Sequence, residues 1–404
     1  MGQKDAAMIM MTDSTSHTPS ATGTGSTDRA VRVRDLPVRL FHWALVITVM
    51  VLAITGLFGE ENWLPVHVWA GQGLAVLIVF RLIWWFVGGR YSRLSTYSLG
   101  MKALKAHLTG LLRGENPLRP GHNPAGAWNI VIMITLLTLL VITGYVTWGG
   151  QEMQGPLAWI DYRTGETFAG IHEVLAWLLL ATMAAHIAGV FVEVRIFGHP
   201  LLTAMTRGTL PVPIGESEKD NRTFRGLVVF VLAAMMIVAV NMISTGVPES
   251  RWRAVAYLPA YASNCADCHH AHHPSLRLAA DWERIIAGLE DHFGEDATIG
   301  AKTEAEILAF LKANDARRFD TEAAVRMGRV QTKDLRITSG EYWQMRHAGI
   351  PEPVFRSPAV GSKANCNACH RDAETGRFDD AMIRIPPEAL RAGNEATHTN
   401  RGES

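Results

Sequence analysis

Five long apolar runs dominate the first 250 positions of the chain. Positions 40–59 carry no charge, and positions 66–87 carry only Arg81. Three further runs follow at 127–148, 171–192 and 226–247. Each is about 20 residues, enough for a helix to cross a hydrocarbon core of about 30 Å. Buried helices of a soluble protein do not need runs so poor in charge, so the pattern predicts five membrane spans. Arg81 is expected to snorkel toward an interface.

From about Ser250 the pattern becomes that of a polar domain with short helices. Trp282, Ile285, Ile286 and Leu289 recur at helical spacing over 281–292, with Gly294 as a stop. Thr303 with Glu306, and Thr338 with Glu341, read as capping boxes, the second opening a short helix that runs through His347. The first 28 residues are rich in Ser, Thr and Gly without an apolar core, which predicts a disordered tail and not a cleaved signal peptide. The expected organisation is a cytoplasmic tail over 1–34, a four-helix membrane domain over 35–210, and a fifth span with its linker over 211–255. A polar domain over 256–387 and a frayed tail over 388–404 complete it.

Basic residues orient the spans. Arg32, Arg34 and Arg39 precede the first, Arg90, Arg93, Lys102 and Lys105 lie between the second and third, and Arg195, Arg207 and Arg222 lie between the fourth and fifth. The loop 60–65 has no Lys or Arg, and 149–170 has only Arg163. The N-terminus is therefore expected in the cytoplasm, and the C-terminal domain across the membrane, in a bacterial periplasm. With 38 basic and 38 acidic residues the net charge is zero, which argues against nucleic acid as a partner.

The four cysteines are Cys265, Cys268, Cys366 and Cys369, and each C-x-x-C is followed at once by a histidine, His269 or His370. C-x-x-C-H is the attachment signature of c-type haem. Zinc is the rival, but it explains neither the two adjacent histidines nor the long gap between the pairs. His269 and His370 are thus expected as proximal ligands. His292 and His347, each on the apolar side of a predicted helix, are expected as distal ligands, with Met327 and Met345 in reserve. His270, His272 and His273 crowd the first motif and read as bystanders at the haem edge.

Histidines inside spans are functional suspects. His172 and His186 lie fourteen residues apart on one helix, about 21 Å along its axis and on nearly one face. By depth, His186 matches His42 near the cytoplasmic side, and His172 matches His67 near the periplasmic side. Two stacked b-type haems, each gripped from two helices, account for this pairing. His107, His122 and His199 fall in cytoplasmic loops and are expected to be solvated.

The stretches "RLFHWALVITVMVLAITG", "HVWAGQGLAVLIVFRLIWWFVGG" and "IHEVLAWLLLATMAAHIAGV" resemble the bacterial cytochrome b561 family, which includes b-type subunits of nickel hydrogenases. The resemblance implies a four-helix core, two haems b on His42, His67, His172 and His186, and exchange with quinones. "CADCHHAHHPSL", "WERIIAGLEDHFGEDA" and "NCNACHRDAETGRFDDAMIRIP" resemble the dihaem cytochrome c family. That implies two covalent haems c with His292 and His347 as distal positions. The chain departs from that family at His272 and His273.

The fold class expected is all-α: a haem b bundle in the inner membrane, a fifth span serving as connecting anchor, and a small, mostly helical dihaem domain. The function expected is electron transfer between membrane quinone and a periplasmic acceptor such as a soluble c-type cytochrome. Arg81, Trp84, Trp85 and Arg90 are the candidates for quinone contact. Two other readings are a haem enzyme acting on superoxide or another small molecule, and a haem-bearing anchor subunit for a periplasmic oxidoreductase.

Overall fold

The structure is a computed structural model that describes residues 30–59, 63–118, 121–211, 222–243, 255–330 and 333–393. The expected tail 1–28, the far end 394–404 and much of the chain flanking the fifth span lie outside the described residues.

Five helices are long and apolar enough to cross a membrane: α1 (Leu36–Leu57), α2 (Leu64–Val87), α4 (Pro124–Glu152), α5 (Tyr162–Arg195) and α7 (Thr223–Ile243). The shorter α3 (Met101–Leu112) and α6 (Leu201–Thr206) sit between them. Each span matches an apolar run, but α4 and α5 run well past theirs. At 34 residues α5 is about 50 Å long, more than the hydrocarbon core requires, so it projects beyond it.

Local chemistry sets the starts. Asp35 caps α1 by accepting from the Val38 amide at 2.9 Å, with Pro37 in the first turn. Asn123 and Asp161 do the same for α4 and α5, at Gly126 and Thr164. The second carboxylate oxygen of Asp35 takes the Trp84 indole at 3.2 Å and the Gly89 amide at 3.3 Å, fastening α1 to the end of α2. Between α4 and α5 glycine does the work. A Cβ added at Gly165 would come 2.7 Å from the Gly150 Cα, so the two backbones touch where the hairpin closes.

α1 pairs with α2 and α4 with α5, and α2 joins the two hairpins. α7 packs on α2 and touches α1, so the fifth span is part of the bundle wall as well as an anchor. The core is apolar, built on Phe41, Phe80, Trp84, Ile134, Leu137 and Leu179. Across the chain, β1 (Ala30–Arg32) runs antiparallel to β2 (Thr209–Pro211), Val31 opposite Leu210. Residues 30–34, expected within the tail, are therefore paired to the segment after α6.

Arg81 does not snorkel. It is 4% exposed and donates to the Tyr97 hydroxyl at 2.7 Å, with Trp85 against its guanidinium plane.

The tail domain begins with α8 (Pro259–Cys265), followed by α9 (Ala279–Ala287), α10 (Ala301–Ala313), α11 (Glu341–His347) and α12 (Glu352–Phe355). Both expected capping boxes are corrected. Gly300 precedes α10, so Thr303 lies inside the helix; Gly340 precedes α11, and Thr338 sits in a separate 3-10 turn. The helix expected over 281–292 stops at Gly288, and His292 follows a 3-10 turn. The chain beyond Pro387 is not frayed at once: 387–393 is helical, and Ala389 is fully buried. Two small cores fill this domain, one around Trp282, Ile307 and Leu311, the other around Trp343, Val354 and Phe355.

The tail domain rests on the α4–α5 turn of the bundle. Asp320 accepts from the Tyr162 amide at 3.2 Å, Arg326 pairs with Glu166, and Arg377 reaches the Glu152 carbonyl at 3.5 Å.

Replacing Gly150 by Val should destabilise the bundle by about 1–3 kcal/mol, because the α4 and α5 backbones have no room to part without losing their packing. A thermal unfolding midpoint in detergent below that of the parent checks this. An unchanged midpoint would contradict the close approach.

Candidate haem-ligand sites

Six of the eight histidines singled out by the sequence come together two by two. The rings of His67 (α2) and His172 (α5) have centroids 6.3 Å apart. Those of His269 and His292 are 6.2 Å apart, and those of His347 and His370 are 6.1 Å apart. Two metal–nitrogen bonds of about 2.0 Å, plus the distance from each nitrogen to its ring centre, come to roughly 6 Å. Each pair is thus spaced as two axial ligands of one metal require. His42 (α1) and His186 (α5) lie within electrostatic range of each other.

Hydrogen bonds fix which ring nitrogen is free. Thr55 on α1 spends its hydroxyl hydrogen on the Val51 carbonyl at 2.8 Å, and its oxygen lies 2.9 Å from His67 Nδ1. Thr143 on α4 repeats this, bonding the Leu139 carbonyl at 2.9 Å and facing His172 Nδ1 at 2.9 Å. With the hydroxyl hydrogen committed, each imidazole must donate from Nδ1, which leaves the Nε2 lone pair available. His269 Nδ1 meets the His270 carbonyl at 2.7 Å and His347 Nδ1 the Trp343 carbonyl at 2.8 Å, with the same consequence.

Gly56 and Gly144, next to the two threonines, leave room for the rings. A Cβ on Gly56 would come 3.1 Å from His67 Cε1, and one on Gly144 3.3 Å from His172 Cε1. Sequence reasoning missed these four residues. Their signal was the Ile-Thr-Gly triplet repeated at 54–56 and 142–144, once in the partner helix of each histidine.

In the tail domain, Cys366, Cys369, His347 and His370 line one largely apolar cavity of about 240 Å³, with Trp343, Phe355, Val360 and Ile385 among its walls. Trp343 stacks on His347 at 4.2 Å between ring centres. Burial, with His347 and Arg346 nearby, pushes His370 down to about 4, so its ring is neutral near pH 7 and fit to ligate. Burial lifts the Cys265 and Cys366 thiols to about 11. Among the described residues no three Cys, His, Asp or Glu side chains converge to hold a metal ion. Apolar walls and paired imidazoles beside the cysteines fit a covalently held porphyrin.

Met327 lines the same cavity, whereas Met345 is 63% exposed. The three extra histidines are not loose bystanders. His273 is 1% exposed, and its Nδ1 lies 2.8 Å from the Ser275 hydroxyl. His272 stacks on His269 at 4.8 Å, and its Nδ1 lies 4.0 Å from Cys366 Sγ; His270 Nδ1 meets the Asn367 amide at 2.8 Å. They bridge the two motifs.

The expectation of solvated loop histidines is also corrected. His122 packs on Tyr97 at 4.7 Å and is held well below the usual histidine range, by burial first and then by Arg34 and Arg81. His199 pairs with the buried Glu193 at 2.5 Å, and His107 lies on α3. Trp84 is fully buried on Asp35, which removes it from any lipid-facing role.

The model of the prokaryotic cytochrome b561 family matches residues 33–208, and that of dihaem cytochrome c matches 261–378. The chain thus carries a cytochrome b561 family match at its N-terminal part and a dihaem cytochrome c domain at its C-terminal part. Its cytochrome b561 part is similar to a probable Ni/Fe-hydrogenase B-type cytochrome subunit of Rhizobium leguminosarum bv. viciae, 29% identical over 200 residues, which are 41% of this chain and 82% of that protein. A protein of the same description from Escherichia coli K12 is 25% identical over 47% of this chain and 95% of its own length. The dihaem part is similar to the dihaem cytochrome c of Rhodobacter sphaeroides, 34% identical, with 31% of this chain covering all of it at a TM-score of 0.27. The dihaem cytochrome of Shewanella baltica OS155 is 31% identical, covering 32% of this chain and 93% of its own, at a TM-score of 0.26. This b561–dihaem c chain is an integral membrane electron-transfer protein of haem b and haem c type.

Thr143→Val should weaken haem b retention in this cytochrome roughly 10–100-fold, since His172 loses the group that holds its tautomer. Transfer of haem b to excess apomyoglobin reads this directly, and Thr143→Ser should behave as the parent. A Val variant that holds haem b as tightly as the parent would remove the threonine from this role.

Proposed function

We propose that the chain carries electrons between membrane quinone and a periplasmic acceptor such as a soluble c-type cytochrome. The observation that carries this reading is the set of three histidine pairs at metal-bond spacing, one in the bundle and two in the tail domain, with His42 and His186 of the bundle within electrostatic range of each other. His42 with His186 and His67 with His172 would hold two haems b at two depths. His269 with His292 and His347 with His370 would hold two haems c, attached through Cys265 and Cys268 and through Cys366 and Cys369. Haem, when bound, supplies a one-electron centre at each pair.

The protein's own part is to hold the rings, keep them neutral and exclude water with Trp343, Phe355 and the bundle core. The half of the tail domain bearing His370 is the half that meets the bundle. Phe378 packs edge-on against His370 at 5.4 Å, and its neighbour Arg377 reaches the end of α4. The basic loops support a cytoplasmic N-terminus and a periplasmic tail domain in the bacterial inner membrane.

The relatives described as hydrogenase subunits favour a second reading, in which the bundle anchors a periplasmic enzyme. Against it stands the α4–α5 turn, which the chain's own tail domain covers through Asp320, Arg326 and Arg377.

A pyridine haemochrome count followed by quinol addition tests the proposal. Two haems b and two haems c, all reduced by quinol, are expected; quinol that reduces none of them would overturn the conduit. His186→Ala should lose one haem b and keep both haems c, and a variant that kept two haems b would break the assigned pairing.

A further inference from the structure

Three neutral polar side chains meet within the spans, apart from every histidine pair. Tyr145 of α4 donates its hydroxyl to Gln72 Oε1 at 2.5 Å, and Asn241 of α7 donates to the same oxygen at 2.9 Å. The Asn241 amide nitrogen also lies 2.8 Å from the Ile237 carbonyl. A carbonyl only accepts, so Asn241 presents its NH2 on that side, and Gln72 must present its oxygen to both neighbours.

The NH2 of Gln72 is therefore turned away from the cluster. It donates to no group among the described residues, although Gln72 is half-buried within a span. Such a donor left unmet in hydrocarbon is costly, and polar groups inside spans are functional suspects. There is space beside it: a Cβ added at Gly71 or Gly73 would meet no atom within 4 Å, and Gly73 is exposed. α4 and α7 each pack on α2 and hardly touch one another, so Gln72 lies on the floor of a seam between them. A clamp between helices explains the shared oxygen. It does not explain two unspent N–H donors beside open space.

The ligand that fits is flat and apolar, carries a carbonyl acceptor, and arrives from the lipid. Gln72 stands five residues after His67, about 7–8 Å along α2. Tyr145 stands two residues after Thr143, which holds His172. Two of the four groups expected from sequence to meet quinone, Arg81 and Trp84, are buried and engaged with Tyr97 and Asp35. We propose that the Gln72 amide, held by Tyr145 and Asn241, binds the carbonyl of a quinone headgroup beside the His67–His172 pair. This rests on the quinone-exchange reading above and gives it a location.

The test uses the full-length protein in nanodiscs. An azido-substituted decylubiquinone should photolabel peptides of α2, α4 or α7 around residues 72, 145 and 241. Gln72→Leu should raise the KM for decylubiquinol roughly tenfold, as loss of a hydrogen bond in an apolar site does, with all four haems retained. Tyr145→Phe, which releases the Gln72 amide to turn, should move KM in the same direction. Labelling confined to other segments, or an unchanged KM in Gln72→Leu with only a lowered unfolding midpoint, would overturn the site and leave the electron conduit standing. If Gln72→Leu loses haem b, the labelling pattern of the parent protein decides. If decylubiquinol reduces no haem in the parent, the conduit reading fails and this site falls with it.

Discussion

A group that holds one nitrogen of an imidazole orients the other toward a metal, and two imidazoles on opposite faces of one metal have ring centres roughly 6 Å apart. Most of this molecule's local detail serves those two requirements. In the bundle, Thr55 and Thr143 hold His67 and His172, while Gly56 and Gly144 let the rings approach. The glycine contact between α4 and α5 sets the spacing of the helices that carry Thr143 and His172. In the tail domain, main-chain carbonyls of His270 and Trp343 hold His269 and His347 instead. The bundle thus uses hydroxyls of a partner helix, whereas the tail domain uses main-chain carbonyls, one from a loop and one from α11.

The same constraint explains why two unlike units work as one chain. A spanning bundle can bury its ligands between long helices, because the bilayer supplies the apolar surroundings. The tail domain has short helices and little core, so it needs covalent attachment through cysteines and walls such as Trp343 and Phe355 around its cavity. The two meet through Asp320, Arg326 and Arg377 at the α4–α5 turn, which brings the His347–His370 cavity toward the bundle. His272 and His270 join the two motifs, one against His269 and near Cys366, the other on Asn367.

Much of this was legible in the sequence. Apolar runs of about 20 residues name membrane helices because hydrocarbon tolerates few charges. The C-x-x-C-H motifs carry their chemistry in five adjacent residues, so their meaning survives without a fold. Depth along the helix axis was enough to match His172 with His67, since a rise of 1.5 Å per residue is fixed by geometry. What stayed hidden depended on contacts across the chain. Arg81 read as a snorkelling residue because nothing local announces Tyr97 as its partner. His122 read as solvated because Tyr97 lies elsewhere in sequence, and His199 because nothing local shows the chain after α5 turning back to set it on Glu193. The capping boxes at Thr303 and Thr338 failed because Gly300 and Gly340 begin their helices at other points, and Gly288 ended the helix that was expected to carry His292.

The central claim is that every histidine pair grips one iron from both faces. Electron paramagnetic resonance of the fully oxidised, full-length protein tests it most directly. Four low-spin ferric signals of six-coordinate haem, integrating to one spin per haem, are the predicted result. A high-spin ferric signal amounting to one haem or more would mean that a pair spaced for two bonds makes only one, and would contradict the account.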